Sequence, residues 1–271
     1  YVPDTEVLAV EQMAGGVDYG AETVGMPKLA LYRENEEAGN YFLRLGNIHR
    51  TSGVGFLNLC YPDEAWRKVV RNVDFRRALS HAIDRVELID TVYYGLGEPS
   101  HMNPNEYDPD LANELLDGIG MDQRDAEGWR LDPDGNPFVI EFDVWGVVFY
   151  DNLPTAQLYA QYWKDVGINT TIQSIDDQLY GQRNAANESK ATTIFDVSTL
   201  WFYQSYGWSY WDLLWNQWWN TQGEQGEEPP DEYKQLRTLT EQIMEVTPDI
   251  GRWETAVACE QNIYDNVWYF V

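Results

Sequence analysis

Between Asn72 and Pro99 the apolar residues Phe75, Ala78, Leu79, Ala82, Ile83, Val86, Ile89 and Tyr93 recur at three- and four-residue steps. That spacing predicts one α-helix of about five turns with a buried stripe. Asp74 is expected to cap its start, Gly95 to end it in the left-handed region, and Pro99 to prevent its resumption. Arg76, Arg77, Ser80, Asp84 and Arg85 fall on the opposite face, which is expected to stay wet or paired.

The rest of the chain alternates between the two periods. A short helix is expected within residues 4–24, ending at Gly15 and Gly16. Residues 41–48 and 54–60 alternate as strands and are expected to pair across the Thr51-Ser52-Gly53 turn. A short helix from Pro109 to Leu116, stopped by Gly118 and Gly120, leads through a polar turn at Asp132–Gly135 into a strand at Phe138–Val144. A helix at Leu153–Val166, with Ala156, Tyr159, Ala160 and Trp163 inward, ends at Gly167. The β-branched run Ile168–Ile175 reads as a strand. A helix at Asp177–Ala186, a strand at Ile194–Trp201 and helices at Asp231–Glu245 and Ile250–Asn266 complete the pattern. Helices alternating with strands predict an α/β fold, a mixed sheet flanked by helices.

The literal residues narrow this further. FRRALSHAIDR with its YYGLGEP exit, then YDPDLANELLDGIG (107–120), GWRLDPDGNPFVIEF (128–142) and WKDVGINTTI (163–172), occur in the order of motifs seen in the family 5 solute-binding proteins. The chain resembles that family, the extracellular receptors of oligopeptide, nickel and oligosaccharide ABC transporters, over roughly residues 4–271. The resemblance implies one lobe of a type II periplasmic-binding-protein-like fold. It also implies that the family places another lobe ahead of the region that begins here. Residues 1–271 are therefore expected to form a single ligand-binding lobe of a two-lobed receptor, its N-terminal lobe absent.

Composition adds limits. A chain of 271 residues with 44% apolar content can fill a substantial core. The 45 acidic against 18 basic residues leave a net charge of −27, which argues against nucleic acid or an anionic membrane as partner. Lysines number five against thirteen arginines. A dense carboxylate surface with few lysines is expected of a protein kept soluble in high salt, where screening relieves self-repulsion. Cys60 and Cys259 give neither a metal-ligand spacing nor a disulfide framework and read as core thiols. No apolar run is long enough to span a membrane, and no signal peptide opens the chain. The acids at 122, 125, 132 and 134 lack the spacing of a calcium loop and read as a solvated turn.

Candidate chemistry concentrates in STLWFYQSYGWSYWDLLWNQWWN (198–220), which holds six of the twelve tryptophans. So many polar-edged rings exceed what a core requires, and indole faces stack on sugars, aromatic groups or cations. The expected ligand-binding residues are Trp201, Tyr203, Tyr206, Trp208, Tyr210, Trp211 and Asp212. Leu214, Trp215 and Trp218 fall on a helical stripe that suits ordinary packing. Asn58 joins the ligand set because it occupies the asparagine of the family's "f..fN" strand. In peptide-binding members, the resemblance places an aspartate beside the tyrosine of this segment, where it pairs with the peptide amine. Here Ser205 precedes Tyr206, so an amine contact would fall to Asp212, or the ligand has no amine.

Enzyme signatures are missing from the sequence: His49, His81 and His101 form no H-E-x-x-H, and no G-x-S-x-G elbow or phosphate loop occurs. No catalytic residue, metal site or cofactor is expected. The resemblance implies the substrate-binding component of an ABC importer, taking an oligopeptide or oligosaccharide. Its partners would be that solute and the permease subunits, with the protein monomeric and the full-length parent extracellular or periplasmic and membrane-anchored. A glycoside hydrolase fragment and a structural or adhesive surface domain remain the alternatives.

Overall fold

The computed structural model describes residues 5–20, 28–45, 52–100, 103–146, 152–195, 210–245 and 249–270, and the structural statements below concern those residues. Four strands form one sheet in the order β1-β4-β2-β3, with β1 Ser52–Leu57, β2 Val139–Trp145, β3 Asn169–Ile175 and β4 Ala191–Phe195. Strand β2 runs parallel to both β3 and β4, whereas β1 is antiparallel to β4. In chain order the helices are α1 Thr5–Met13, α2 Leu29–Glu34, α3 Glu36–Gly39, α4 Glu64–Val70, α5 Val73–His81, α6 Arg85–Val92, α7 Pro109–Gly118, α8 Asn152–Asp165, α9 Asp177–Ala185, α10 Leu213–Asn220, α11 Asp231–Glu245 and α12 Asp249–Asn266. The parallel pairs require crossovers, which α8 and α9 supply.

Alternation along β2 assigns the two faces of the sheet. Phe142 meets Trp163 of α8 at 5.8 Å. Asp143 and Trp145 point the other way, to Arg183 and Tyr180 of α9. The core beneath α8 contains Trp163 stacked on Tyr159, with Phe270 edge-on to Trp163. A second aromatic cluster ties α10, α11 and the C-terminal segment together through Trp211, Trp215, Tyr233 and Trp268. These are the mixed sheet and flanking helices expected from the alternating pattern.

The single helix expected over residues 72–99 is instead two, α5 and α6, parted at Ala82–Asp84. Asp84 turns extended, and its carboxylate accepts the Glu87 amide at 2.9 Å, starting a new helix. Its spacing to Glu87 is that of a capping box. The break resets the helical phase, so Leu88 and Val92 are buried while Val86 is 62% exposed. Asn72 rather than Asp74 caps α5, accepting the Asp74 amide. Gly95 does take the left-handed conformation at the exit, φ +71°. On the face expected to be wet or paired, Arg76, Ser80 and Arg85 are buried and paired. Arg85 donates to the Ser80 carbonyl and hydroxyl oxygens, both at 2.9 Å, and Ser80 in turn donates to the Pro104 carbonyl.

Among the described residues, the hairpin expected between 41–48 and 54–60 is not seen. Residues 41–45 are not strand, residues 46–51 lie outside the described residues, and β1 pairs with β4, more than a hundred positions later in the chain. In the acidic turn, Asp122 and Asp134 are exposed and Asp125 half-buried, as expected of a solvated turn, and Asp132 alone of the four departs from it. Asp132 is buried and accepts the amides of Asp134 and Asn136, shaping the turn that launches β2.

Candidate functional site

Because β2, β3 and β4 are mutually parallel in the sheet, their carboxyl ends share one edge. Strand β1 runs the other way, and Ser52 pairs with Phe195, so its amino end belongs to the same edge. In open α/β sheets, ligands bind outside the carboxyl ends of the strands. Here that edge is where β2 hands over to Gly146, whose amide continues the ladder to the Ile175 carbonyl oxygen at 2.9 Å.

A row of aromatic rings crosses the α9 face of the sheet. Trp145 stacks on Tyr180 at 5.6 Å with ring planes 17° apart. Tyr180 lies 6.2 Å from Tyr210, Tyr210 lies 5.7 Å from Phe56, and Phe56 lies 5.5 Å from Tyr269. Trp145 and Tyr210 are half-buried, whereas Phe56 and Tyr180 are buried. The Tyr180 hydroxyl accepts from Thr192 Oγ1 at 2.8 Å and donates to the Thr193 carbonyl at 3.4 Å, which fixes its ring against the sheet. Burial raises both the Tyr180 and Tyr210 phenols above their ordinary range, so each is neutral at physiological pH.

Beside this row, Asp143 is buried and accepts from Arg183 Nη1 at 2.9 Å and Ser189 Oγ at 2.7 Å. Burial raises its pKa, and the Ser189 hydrogen bond and the Arg183 charge oppose that rise. The cluster anchors α9 to β2.

The residues proposed from sequence divide among three places. Trp201, Tyr203, Tyr206 and Trp208 lie outside the described residues. Tyr210 belongs to the aromatic row. Trp211, Asp212 and Asn58 gather at the far end of the sheet, where β1 finishes opposite the start of β4, roughly 17 Å along the strand from the carboxyl edge. There the Trp211 carbonyl accepts the Leu59 amide at 2.8 Å, and the indole stacks on Trp268 at 5.3 Å. Asp212 is buried and accepts the Tyr233 hydroxyl at 2.7 Å. Asn58 donates to Asn187 Oδ1 and the Ser189 carbonyl, and its Oδ1 accepts the Cys60 amide. Its carbonyl also accepts the Trp66 indole, so Asn58 pins β1, β4 and α4 together.

Trp145 and Tyr180 were not among the residues drawn from sequence. The available signal was an aromatic ring at the carboxyl end of a strand, immediately before glycine. Their pairing across 35 positions required the crossover of α8, β3 and α9. Among the described residues, no group of three or more His, Cys, Asp or Glu is arranged to hold a metal ion. Among them, too, no helix is long and apolar enough to cross a membrane. The His81 Nδ1 atom faces the Glu106 carbonyl oxygen at 2.9 Å.

An α/β lobe with a row of aromatic rings across one face of its mixed sheet is the class that the fold defines. The sequence profile of the bacterial extracellular solute-binding proteins, family 5 (middle region), matches residues 1–224, and the chain belongs to that family. It is a family of binding components rather than enzymes. No curated protein matches the chain. Among solved structures, the oligopeptide-binding protein OppA superposes with a TM-score of 0.73 at 26% identity, over 99% of this chain and 49% of its own. The periplasmic binding protein MelB from Agrobacterium fabrum, solved with stachyose, gives 0.80 at 15% identity, over 99% and 44%. The oligopeptide-binding protein AppA from Bacillus subtilis, solved with a nonapeptide, gives 0.71 at 17% identity, over 99% and 52%. The chain thus spans about half the length of these structures, the last two of which it resembles in fold.

Proposed function

We propose that this chain is the ligand-binding lobe of an ABC-importer receptor that captures an extracellular oligosaccharide. The observation that supports the ligand class is the aromatic row that crosses the α9 face of the sheet from Trp145 at the carboxyl end of β2 through Tyr180 to Tyr210 and Phe56. Ser205, where peptide-binding relatives are expected to carry an amine-pairing aspartate, supports a ligand without an amine. Asp212 accepts the Tyr233 hydroxyl and is buried, which suits a framework role better than a peptide contact. Trp201, Tyr203, Tyr206 and Trp208 join Tyr210 as ligand contacts in this reading, with Trp211, Asp212 and Asn58 holding the frame. The oligopeptide reading is kept by the 26% identity to OppA.

Capture needs no covalent chemistry. A ligand that touches both lobes only when they are closed shifts the open and closed populations by its differential affinity, and the closed form is what the permease subunits receive. The receptor acts as a monomer at the cell surface or in the periplasm, anchored to the membrane through its parent chain. Its net charge of −27 suits work in high salt and argues against nucleic acid as a partner. An unfolding midpoint that rises from low to molar salt is expected, and one that stays flat would overturn the high-salt assignment.

The function is tested by intrinsic tryptophan fluorescence of the full-length receptor in high salt, titrated with cello- and xylo-oligosaccharides and then with a pool of short peptides. Saturable quenching or a spectral shift by a sugar is the expected result. A response to peptides alone transfers the assignment to peptides. Hydrolysis of a chromogenic glycoside would move it to a glycosidase, and silence to every probe would favour a structural surface domain.

A further inference from the structure

The pattern N-x-S/T, with any residue but proline in the middle, occurs twice in the chain, at Asn169-Thr170-Thr171 and at Asn187-Glu188-Ser189. In an exported protein that tripeptide is the acceptor for N-linked sugar. The structure separates the two. The Asn187 side chain is committed at both ends, donating to the Cys60 carbonyl at 2.8 Å and accepting from Asn58 at 2.8 Å. Ser189 is buried, with its hydroxyl on Asp143 at 2.7 Å. A sugar on Asn187 would have to enter the junction of β1, β4 and α4 that Asn58 pins. Asn169, by contrast, opens β3, the strand at the end of the sheet, and Thr171 follows two residues on, so both side chains leave the same face. Asn169 is half-buried and Thr171 exposed. Their partners on β2 are Val139 and Glu141. Helix α9 meets that face further along, at Asp143 and Trp145, whereas at its amino end Glu141 is exposed beside Thr171.

We propose that Asn169 is a modification site that carries an N-linked oligosaccharide. Its Nδ2 atom attacks the anomeric carbon of a sugar chain held on a polyprenyl phosphate or pyrophosphate, the donor that an export-side transferase of the host presents. The N–C bond forms as the anomeric C–O bond breaks. The amide gives up one proton, and the lipid phosphate leaves with the bonding pair, so no oxidant or reductant takes part. The location suits such a graft in two ways. Strand β3, NTTIQSI, has neither a charged residue nor a proline, and among the described residues no strand pairs with its outer side. Edge strands of that kind are templates for pairing between chains unless something covers them. A sugar at Asn169 screens the edge with hydroxyl-rich bulk. Asn169 also begins the strand, roughly 20 Å from its carboxyl end, so the sugar stands clear of the edge where such sheets bind ligands.

The proposal rests on the extracellular placement of the family and not on the ligand class. It is tested by peptide mapping of the full-length receptor purified from its native host, with electron-transfer fragmentation in the mass spectrometer to locate the sugar. The expected result is a sugar mass increment on the peptide carrying Asn169 and an unmodified peptide carrying Asn187. Asn169→Gln and Thr171→Val should each remove the increment from the intact mass, whereas Thr171→Ser, which keeps the hydroxyl, should retain it. Mapping of the unmutated chain decides the matter by itself if a variant is not exported. A bare Asn169 in the protein from its host would overturn the proposal and leave the receptor assignment standing, and sugar found on Asn187 instead would overturn it equally. The ligand titrations described above are expected to give the same Kd in Asn169→Gln as in the unmutated receptor, so a failed ligand class and a failed modification site are told apart.

Discussion

Arg76 donates through Nε to the carbonyl oxygen of Val267 at 3.0 Å, across 191 positions of sequence. Its other nitrogens reach the Asn266 carbonyl at 2.8 Å and the Val70 carbonyl at 2.7 Å, and its guanidinium lies 5.2 Å from the Trp268 ring centroid. Burial pulls its pKa down to about 9, still high enough to keep the group charged. One side chain thus satisfies the carbonyls that end α4 and α12 and fixes the C-terminal segment on the core. Arg76→Met is expected to lower stability by about 3 kcal/mol or more, because several buried carbonyls lose their partner at once. Arg76→Lys should recover little, since an ammonium lacks the planar fork. Guanidinium unfolding followed by tryptophan fluorescence measures both, and a change under 1 kcal/mol, the ~1 kcal/mol typical of one hydrogen bond, would refute the clamp.

Glu227 bridges two arginines at the end of α4, Arg67 at 2.9 Å and Arg71 at 2.7 Å. Burial pushes its carboxyl upward, but the Arg71 hydrogen bond and the two guanidinium charges outweigh that, so its pKa is lowered in the folded chain. A depressed acid contributes stability that is present above its unfolded value, 4.5, and is lost as pH falls through the folded value. Glu227→Gln is therefore expected to cost roughly 1–3 kcal/mol at neutral pH and to match the native chain once the native carboxylate is protonated in strong acid. Urea titrations at several pH values should show the difference shrinking on the acid side, and a constant difference would contradict the ion pairs as its source.

Gly55 lies directly beneath the Tyr159 ring, where an added Cβ would come within 2.9 Å of Cε2. That ring has little room to retreat because Trp163 is stacked against it at 5.6 Å. Gly55 also exchanges both backbone hydrogen bonds with Phe270, at 3.0 and 2.9 Å. Gly55→Ala is expected to cost about 1–3 kcal/mol through overpacking, and Gly55→Val more. A thermal melt of the two variants ranks them, and an alanine variant as stable as the parent would show that Tyr159 can move.

Cys60 and Cys259 are both buried and unlinked. Burial pushes the Cys60 thiol up to about 12 and the Cys259 thiol up to about 11, so neither holds appreciable thiolate at neutral pH. Iodoacetamide at neutral pH should leave both unmodified in the folded protein and label both after denaturation, as read by intact mass. Rapid labelling of Cys60 in the native state would mean that the packing around the Asn58 turn opens readily.

Much of the fold follows from local pattern. The helices at 109–118, 152–165, 177–185, 231–245 and 249–266 and the strands at 139–145 and 169–175 stand within a residue or two of the periodic segments that predict them. Each is specified by side chains three, four or two positions apart, together with caps such as Asp108 and Asp176 whose carboxylates meet amides three residues on. The family motifs were legible for the same reason, being contiguous strings. Where a local competitor existed, the pattern misled: Asp84 can either continue a helix or cap a new one, and its capping hydrogen bond to Glu87 prevailed.

What the sequence by itself determined, then, is the succession of elements, the family, and a surplus of aromatic rings suited to a ligand. The tertiary structure alone decided which strands pair, so that β1 finds β4 rather than its neighbour in the chain. It also decided which rings line the strand ends and which join the frame, setting Trp145 against Tyr180 and sending Trp211, Asp212 and Asn58 to the opposite end of the sheet. The physical reason is that helical and strand periodicity is fixed by neighbours a few residues away. Strand order and ring-to-ring packing instead depend on contacts tens to hundreds of positions apart, which are selected by the burial and hydrogen bonding of the whole chain together.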